Sequence, residues 1–485
     1  MLKIFRHQSL IRSARLSAGP SVRRGSVIVI VLWTIAIAAI IVSSLQLFAY
    51  RQATIGRETL ERTQARWAAR AGLENTLAVM TRMNEKPDPT DAKSLTREMY
   101  YVSKGNLLNS SYDILHHVNG RDLGGPADEG GKFNLNNSND RGLLLAFDDF
   151  TLDTLDAIGD WMDDDDEPST LGVERDYYLS LESPYEPRNG PMHTLGEVEM
   201  IAGIWPRYFR GEDWNLNGRL DANENDSARS FPPDEADGIM QAGWSEDLTV
   251  YSVDGGATDS GEPRIYLKKA EAKDIAERCG INTAQAEALI TYGKTPTNKL
   301  TDLLFTPLQS GTGAAGGAEG AGGQQGQGGQ GGQGGQQGQD GQGGQAGSQP
   351  AGVTPLTDDQ LTRVLAECSI ANPKERLPGK MNLNTINGDF LRDIFEIMGM
   401  DEAIADELLF LRDRPTGIVS LVELKRIPAI SQQDIQNIAQ RFDVRSNVFT
   451  IASRGRSAAT GMEVEIVAVV DRSTVPIRIL EYREQ

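Results

Sequence analysis

The chain has 485 residues with 48 basic and 68 acidic side chains, which gives a formal net charge of −20 at pH 7. This length is sufficient for roughly two to four folding units with sizeable cores. The acid excess argues against a nucleic-acid-binding surface and suits a cation-binding or highly solvated exterior. Two cysteines, Cys279 and Cys368, exclude both a disulfide-rich scaffold and a four-thiolate metal site.

The N-terminal region predicts a single membrane anchor. Residues 1–24 carry basic side chains and no acid, and residues 25–50 carry no charge, so a helix there is long enough to cross a hydrocarbon core. The flanking charges place the N-terminus in the cytoplasm and the bulk of the chain outside. A cleaved secretory signal is the alternative, but its apolar region would be shorter and Ser43-Ser44 makes a poor cleavage site. Apolar and small residues at helical spacing predict that the same helix continues through residue 83.

The junction Arg23-Arg24-Gly25-Ser26, followed by an unbroken apolar helix, resembles a type IV prepilin leader. The resemblance implies that a prepilin peptidase cuts between Gly25 and Ser26 on the cytoplasmic face and methylates the new N-terminus. Most pilins have glutamate as the fifth mature residue, and this position is Ile30 here. That departure is typical of the K-type minor pseudopilins of type II secretion (GspK). In pilin filaments this glutamate is thought to neutralise the N-terminal amine of the neighbour above, because burying an unpaired ion costs several kcal/mol. A subunit with no neighbour above it therefore does not need the acid. The alternative explanation is that isoleucine makes a better membrane anchor.

Two segments in the middle of the chain are similar to the same K-type family. Residues 128–136, DEGGKFNLN, resemble the family's D-E-x-G-K-F-N-L-N segment, which is a turn followed by a short strand. Residues 158–191 follow the family's order of an acidic run, a tyrosine pair and a proline-rich stretch. The acidic run is either a solvated loop or a second cation site, since neighbouring carboxylates repel until they are neutralised. Its candidate ligands are Asp160, Asp163, Asp164, Asp165, Asp166 and Glu167.

Residues 213–224, DWNLNGRLDANE, match an EF-hand-type calcium loop position for position. Ca²⁺ requires six to eight hard oxygen ligands, and glycine at the sixth position of the loop permits the sharp turn. The predicted ligands are Asp213, Asn215, Asn217, the carbonyl of Arg219, Asp221 and Glu224. Prolines on both flanks do not favour two long EF helices, so the sequence predicts a calcium-bound loop and not a calmodulin-like switch. A polar turn without a cation is the alternative.

Two helical modules, beginning near residues 265 and 381, resemble helix-hairpin-helix units. Their hairpins have Asn282 and Asp401 where DNA-binding versions have a second glycine whose amide helps to hold a phosphate, so a packing role is favoured. Between the modules, residues 311–350 are nearly all Gly, Gln and Ala, a composition that predicts a flexible linker. Cys279 and Cys368 flank it and are either a disulfide or two buried thiols.

The tail, residues 448–482, alternates apolar and polar residues with two turn signals and predicts a three-stranded antiparallel meander. With strands near residues 99–137 it would complete a pilin head. The fold class is therefore α+β: a pilin-like N-terminal helix and an antiparallel sheet, with a large, mostly helical insertion containing the helix-hairpin-helix-like repeats. The predicted segments are the leader 1–25, the helix 26–83, the first part of the head 84–139, the first part of the insertion 140–310, the linker 311–350, the second repeat 351–445 and the closing strands 446–485.

The K-type resemblance implies a minor pseudopilin that caps and initiates a periplasmic pseudopilus. Its implied partners are the I- and J-type minor pseudopilins, the major pseudopilin, the prepilin peptidase and the inner membrane, and its head would be periplasmic. The 213–224 loop separately predicts calcium as a cofactor. A minor pilin of a type IV pilus or DNA-uptake system is the alternative function. An anchored hydrolase is a weaker one, because the sequence contains no Ser/His/Asp order, HExxH or phosphate loop. No enzyme activity and no nucleic-acid partner are expected.

Overall fold

The computed structural model describes residues 24–118, 120–254, 256–308, 353–428 and 430–485, with side chains from residue 27 onward. The predicted leader up to residue 23 and the whole predicted linker lie outside the described residues. The described residues fall into two compact units, which are divided between Thr63 and Gln64.

The described residues contain helices of both the α and the 3₁₀ type. The α-helices are α1 (Arg24–Glu85), α2 (Ser94–Tyr101), α3 (Leu152–Met162), α4 (Arg175–Leu179), α5 (Pro206–Phe209), α6 (Ala272–Cys279), α7 (Thr283–Lys294), α8 (Asp358–Glu367), α9 (Gly388–Ile397), α10 (Glu402–Arg412) and α11 (Gln432–Arg441). The 3₁₀ helices span Glu129–Gly131, Ser138–Ala146, Leu195–Met200, Ala222–Glu224, Gly243–Glu246, Leu300–Leu304 and Leu421–Arg426.

Four strands of the described residues contain seven or more residues, three of them near the C-terminus, and the other strands contain two to four. In chain order, the strands are β1 (Lys104–Leu107), β2 (Ser110–Val118), β3 (Arg121–Gly124), β4 (Ala127–Asp128), β5 (Phe133–Asn134), β6 (Leu248–Thr249), β7 (Val253–Asp254), β8 (Ile265–Tyr266), β9 (Cys368–Ser369), β10 (Leu377–Pro378), β11 (Met381–Asn382), β12 (Phe442–Asp443), β13 (Val448–Ser457), β14 (Glu463–Asp471) and β15 (Arg478–Glu484).

The predicted apolar anchor is helical. Within the part of the chain that the structure describes, one helix is long and apolar enough to cross a membrane, Val27–Glu85, and its most apolar stretch is entirely exposed. This agrees with a single-pass anchor near the N-terminus.

The second unit contains an antiparallel sheet in the order β1-β2-β13-β14-β15, with β3 on β2 and β4 on β13. The predicted C-terminal meander is therefore confirmed: β13 pairs with β14 and β14 pairs with β15, both antiparallel. Strands earlier in the chain begin at Lys104 and not at residue 99, because Ser94–Tyr101 is an amphipathic helix that buries Leu95 and Met99. Long helix plus antiparallel sheet is the α+β arrangement that the sequence predicted.

Residues 64–85 of α1 pack on this sheet at close range. Ala65, Ala68 and Ala69 are fully buried, and the hydroxyl of Ser453 donates a 2.8 Å hydrogen bond to the carbonyl of Ala69. A Cβ at Gly455 would lie 1.9 Å from the carbonyl oxygen of Ala65, so only glycine fits there. Small residues on both surfaces explain the close contact between helix and sheet.

The described residues form two hydrophobic cores. One contains residues of α1 and of the sheet. The other is built from residues between Phe133 and Val444, which in sequence lie between the first and the last strands of the sheet. It includes residues from both sides of the linker, such as Leu289 and Ile394, so the two predicted halves of the insertion share one core. Two short strand pairs also join the halves, β8 with β9 and β7 with β10. The boundaries predicted for the individual segments remain predictions.

Candidate functional site

The predicted cleavage point lies at the start of α1. Gly25 and Ser26 belong to the first turn of this helix, and Arg23 lies outside the described residues. Ile30, the position at which most pilins carry glutamate, is exposed. All residues from 27 to 50 are exposed in the same way, so this segment presents an uncharged apolar surface around its whole circumference. Such a surface suits lipid or the apolar helices of partner subunits.

The 213–224 loop follows α5 and ends with the 3₁₀ turn Ala222–Glu224. Neither flank is a long helix, as the prolines predicted, since α5 contains four residues and the turn contains three. Gly218 has φ of 67°, the left-handed region that glycine adopts without strain. The loop therefore has the turn that a calcium loop requires at its sixth position without the two helices of an EF-hand.

Hydrogen bonds bring the predicted ligands of the 213–224 loop together. The two carboxylate oxygens of Asp213 accept the N–H groups of Asn217 and Gly218 at 3.0 and 2.9 Å. Asp221 Oδ2 accepts the side-chain amides of Asn215 and Asn217 at 2.8 and 3.0 Å. The side-chain oxygen of Asn217 in turn accepts the N–H of Arg219 at 2.8 Å.

Glu224 closes this loop. Its two carboxylate oxygens accept the N–H groups of Trp214 and Asp221, at 2.9 and 3.0 Å, and its side chain is almost fully buried. Burial raises the pKa of Glu224 to about 7, and Asp213 and Asp221 add to the rise by charge repulsion. Burial likewise raises the pKa of Asp213 to about 6. Hard oxygen donors with disfavoured negative charge are the chemistry that suits Ca²⁺, so the donor types fit the predicted cation, and its binding in this loop remains a prediction.

The 213–224 loop is attached to the sheet by charged groups. Asn217 Nδ2 donates to Glu465 Oε2 at 2.7 Å, and Arg219 Nη2 pairs with Asp113 Oδ2 at 2.7 Å. Arg454 of β13 pairs with Asp221. The predicted ligands thus contact β2, β13 and β14, which places the loop against the pilin-like sheet.

The acidic run forms a smaller cluster than its sequence predicts. Asp160, Asp163 and Glu174, named here the acid triad, each offer one carboxylate oxygen within 4.8 Å of the others. Both oxygens of Glu174 and Oδ1 of Asp163 are buried without a hydrogen-bond partner, whereas the oxygens of Asp160 accept the N–H of Ser169 at 3.2 and 3.1 Å. The structure does not bring the remaining predicted ligands into the triad, and all of them are exposed: Asp164, Asp165, Asp166 and Glu167.

Electrostatic repulsion acts on the acid triad. Burial raises the pKa of Glu174 to about 7, and Asp160 and Asp163 raise it further by like-charge repulsion. Burial and then the charge of Asp165 raise the pKa of Asp163. A divalent cation would neutralise this repulsion and give the unpartnered oxygens a ligand. Sequence reasoning missed Glu174 as a ligand because it lies beyond the acidic run, although it precedes the tyrosine pair of the same family-like segment.

The two helix pairs have capped hairpins. Gly280 and Gly399 adopt φ of 65° and 67° between the paired helices. Asn282 accepts the N–H of Gln285 at 2.9 Å, and Asp401 accepts the N–H of Ala403 at 3.0 Å. The residues that replace the second glycine therefore satisfy helix N-terminal amides themselves. Membership of a helix-hairpin-helix family remains a prediction.

Comparison with known proteins agrees with the sequence. Residues 131–211 match the family model for the type II secretion system (T2SS), protein K. The resemblance to the K-type family is confirmed. The matched segment includes all three residues of the acid triad and ends before the 213–224 loop. Residues 131–211 are thus similar to protein K of the type II secretion system.

Among solved structures, the chain is similar to a chain in the crystal structure of the GspK-GspI-GspJ complex from the enterotoxigenic Escherichia coli type 2 secretion system. The two share 10% sequence identity with a TM-score of 0.42, and the alignment covers 89% of this chain and 99% of that one. No curated protein matches the chain.

Proposed function

We propose that this protein is a minor pseudopilin of the type II secretion system that caps and initiates the periplasmic pseudopilus at its tip, for export of proteins across the outer membrane. The observation that carries the proposal is the protein K match over residues 131–211, in a segment that lies between β4 and β13 of the antiparallel sheet. The exposed apolar start of α1 supports membrane anchoring with a periplasmic head.

Ile30 and the size of the insertion support the tip position. With isoleucine at this position, the subunit offers no carboxylate to the terminal amine of a subunit above it. The insertion between β4 and β13 would also occupy the space of such a subunit. The partners that follow are the I- and J-type minor pseudopilins and the major pseudopilin, which contact the apolar surface of α1 from below. No enzyme activity is part of the proposal.

Processing of the leader by prepilin peptidase is the first test. N-terminal sequencing of the protein extracted from membranes should begin at a methylated Ser26. Gly25→Leu should block the cut, since a side chain prevents close approach of the backbone to the peptidase. Ser26→Ala is the matched control and should be processed. A mature chain that starts after Ser44, or an intact Met1, would contradict the proposal.

The tip position has its own test. Pseudopili formed by overexpression of the major subunit should carry immunogold label for this protein at one end only. Ile30→Glu should not improve secretion and should hinder membrane insertion, because a carboxylate within the anchor is costly. Label spread along the shaft would contradict the cap. Dependence on retractile-pilus motor proteins instead of the secretion ATPase would favour the type IV pilus alternative.

We further propose that both acidic sites bind Ca²⁺. The 213–224 loop would use Asp213, Asn215, Asn217, Asp221 and Glu224 with the carbonyl of Arg219, and the acid triad would hold a second ion. The buried carboxylates of both sites support this proposal, because bound cations neutralise charge that burial disfavours. Calcium should raise the melting temperature of the purified chain by mass action.

A further inference from the structure

The two cysteines of the chain lie on opposite sides of the linker in sequence and meet in the core. Cys279 ends α6, and Cys368 begins β9. Their Sγ atoms are 3.7 Å apart, and both side chains are fully buried. A disulfide needs about 2.05 Å between the sulfurs, so the pair has to close by less than 2 Å, a movement within reach of side-chain rotation.

The backbones beside the cysteines are already held together. Ile265 of β8 pairs directly with Cys368 of β9. The residues that precede the two cysteines form an ion pair, in which Arg278 Nε lies 3.0 Å from Glu367 Oε2. Strand pairing and ion pair thus fix the positions of both cysteines independently of the sulfurs.

From this juxtaposition we infer that Cys279 and Cys368 form a disulfide in the mature protein. The inference rests on the proposed function, because a periplasmic head folds in an oxidising compartment. The bond joins the two sides of the insertion directly and closes a loop that contains the linker. It therefore keeps the two halves of the shared core together, whatever the length of the linker between them.

Oxidation requires an electron acceptor, and we assign this role to a periplasmic protein of the thiol-disulfide oxidase class. One cysteine thiolate attacks the oxidase disulfide, which forms a mixed disulfide and releases one oxidase thiol. The thiolate of the second cysteine then attacks the mixed disulfide, which forms the Cys279–Cys368 bond and releases the second oxidase thiol. Two electrons and two protons pass from the cysteine pair to the oxidase.

Both thiols are fully buried in the folded protein. Because neither side chain is exposed, the oxidase has access only before the core is complete. The bond should therefore form during folding and resist reductant afterwards.

The experiment uses the full chain extracted from membranes, unfolded in denaturant and treated with a maleimide polymer that adds mass to each free thiol. The wild type should gain no adduct before reduction and two adducts after it. Without reduction, trypsin should yield the peptides Cys279–Lys294 and Val364–Lys374 linked in one mass. Cys368→Ala is the matched control and should give one adduct with or without reductant.

Protease digestion of spheroplasts tests the disulfide and the proposed function separately. Two free thiols in a head that the protease reaches would overturn the disulfide and leave the proposed function standing. Two free thiols in a protected head would contradict the periplasmic position and the disulfide with it. Folded wild-type protein should also keep its bond in reductant, and rapid reduction without denaturant would contradict the buried geometry.

Discussion

In the 213–224 loop each carboxylate oxygen of Glu224 accepts a backbone N–H, whereas in the acid triad both oxygens of the equally buried Glu174 lack a partner. The first site is the better match to a calcium motif in sequence, and the second has the greater need of a cation. Backbone hydrogen bonds stabilise a buried carboxylate even without a metal ion, whereas a buried carboxylate without a partner destabilises the fold until a cation or a proton neutralises it. Motif quality and dependence on a cation are thus separate properties.

The largest expected effect comes from removing the carboxylate of Glu224, whose hydrogen bonds close the 213–224 loop. Glu224→Ala should lower the free energy of unfolding in chelator by about 3 kcal/mol, because the N–H groups of Trp214 and Asp221 lose their acceptor. In calcium the loss should be greater, since a ligand is removed as well. Denaturant unfolding of the purified chain measures both values. The exposed neighbour Asn223→Ala is the control, and an unchanged stability in Glu224→Ala would contradict the role of the hydrogen bonds.

The acid triad should respond with the opposite sign. Glu174→Gln should raise the free energy of unfolding in chelator by about 2 kcal/mol, because it removes a buried charge repelled by Asp160 and Asp163. The same variant should lose the part of the calcium-induced rise in melting temperature that belongs to the triad. A decrease in chelator would show that the carboxylate of Glu174 has a partner after all and would end the contrast between the sites.

A smaller effect is expected at Gly218, where a substitution changes the backbone of the 213–224 loop without removing a predicted calcium ligand. Gly218→Ala should lower the free energy of unfolding by about 1 kcal/mol, because the residue has positive φ. The loss should not be larger, since no atom lies within 4 Å of the position that the added Cβ would take. The loss should be equal in calcium and in chelator if the substitution strains the chain without removing a ligand. A loss confined to calcium would place the turn within the binding equilibrium.

The smallest effect is expected at the exposed acids of the run. Asp164→Asn should change the free energy of unfolding by less than about 0.5 kcal/mol, in calcium or in chelator, because its carboxylate is solvated. It is matched to Glu174→Gln in charge and lies in the same family-like segment. A calcium-dependent effect as large as that of Glu174→Gln would restore the wider ligand set that the sequence predicted.

Local patterns predicted the parts of the fold that depend on local physics. Alternation over residues 448–482 predicted the meander of β13, β14 and β15, and Gly218 predicted a sharp turn, because each depends on near neighbours in the chain. The sequence did not predict that Leu289 and Ile394 share one core, because that core joins segments on opposite sides of the linker. It did not predict the pairing of β8 with β9 for the same reason.

The acid triad shows a different limit of sequence reasoning. A run of consecutive acids suggests a set of ligands, but a chain that leaves its helix after Met162 cannot direct every carboxylate to one point. Asp160 lies on the buried side of α3, and Glu174 approaches it from the start of α4, while Asp164 and Asp165 remain in solvent. Spatial convergence depended on how two short helices pack, which composition does not encode.

The position of β13 has a consequence for the order in which the molecule is made. This strand lies between β2 and β14, yet β2 ends at Val118 and β13 begins at Val448. During N-to-C synthesis the central strand β13 emerges only after the entire insertion, and β14 and β15 follow it. Because long-range strand pairing must wait for the late segment, the insertion core should fold first and the sheet should close afterwards. A chain that stops before β13 therefore cannot complete the sheet, so the topology itself denies truncated chains a finished head.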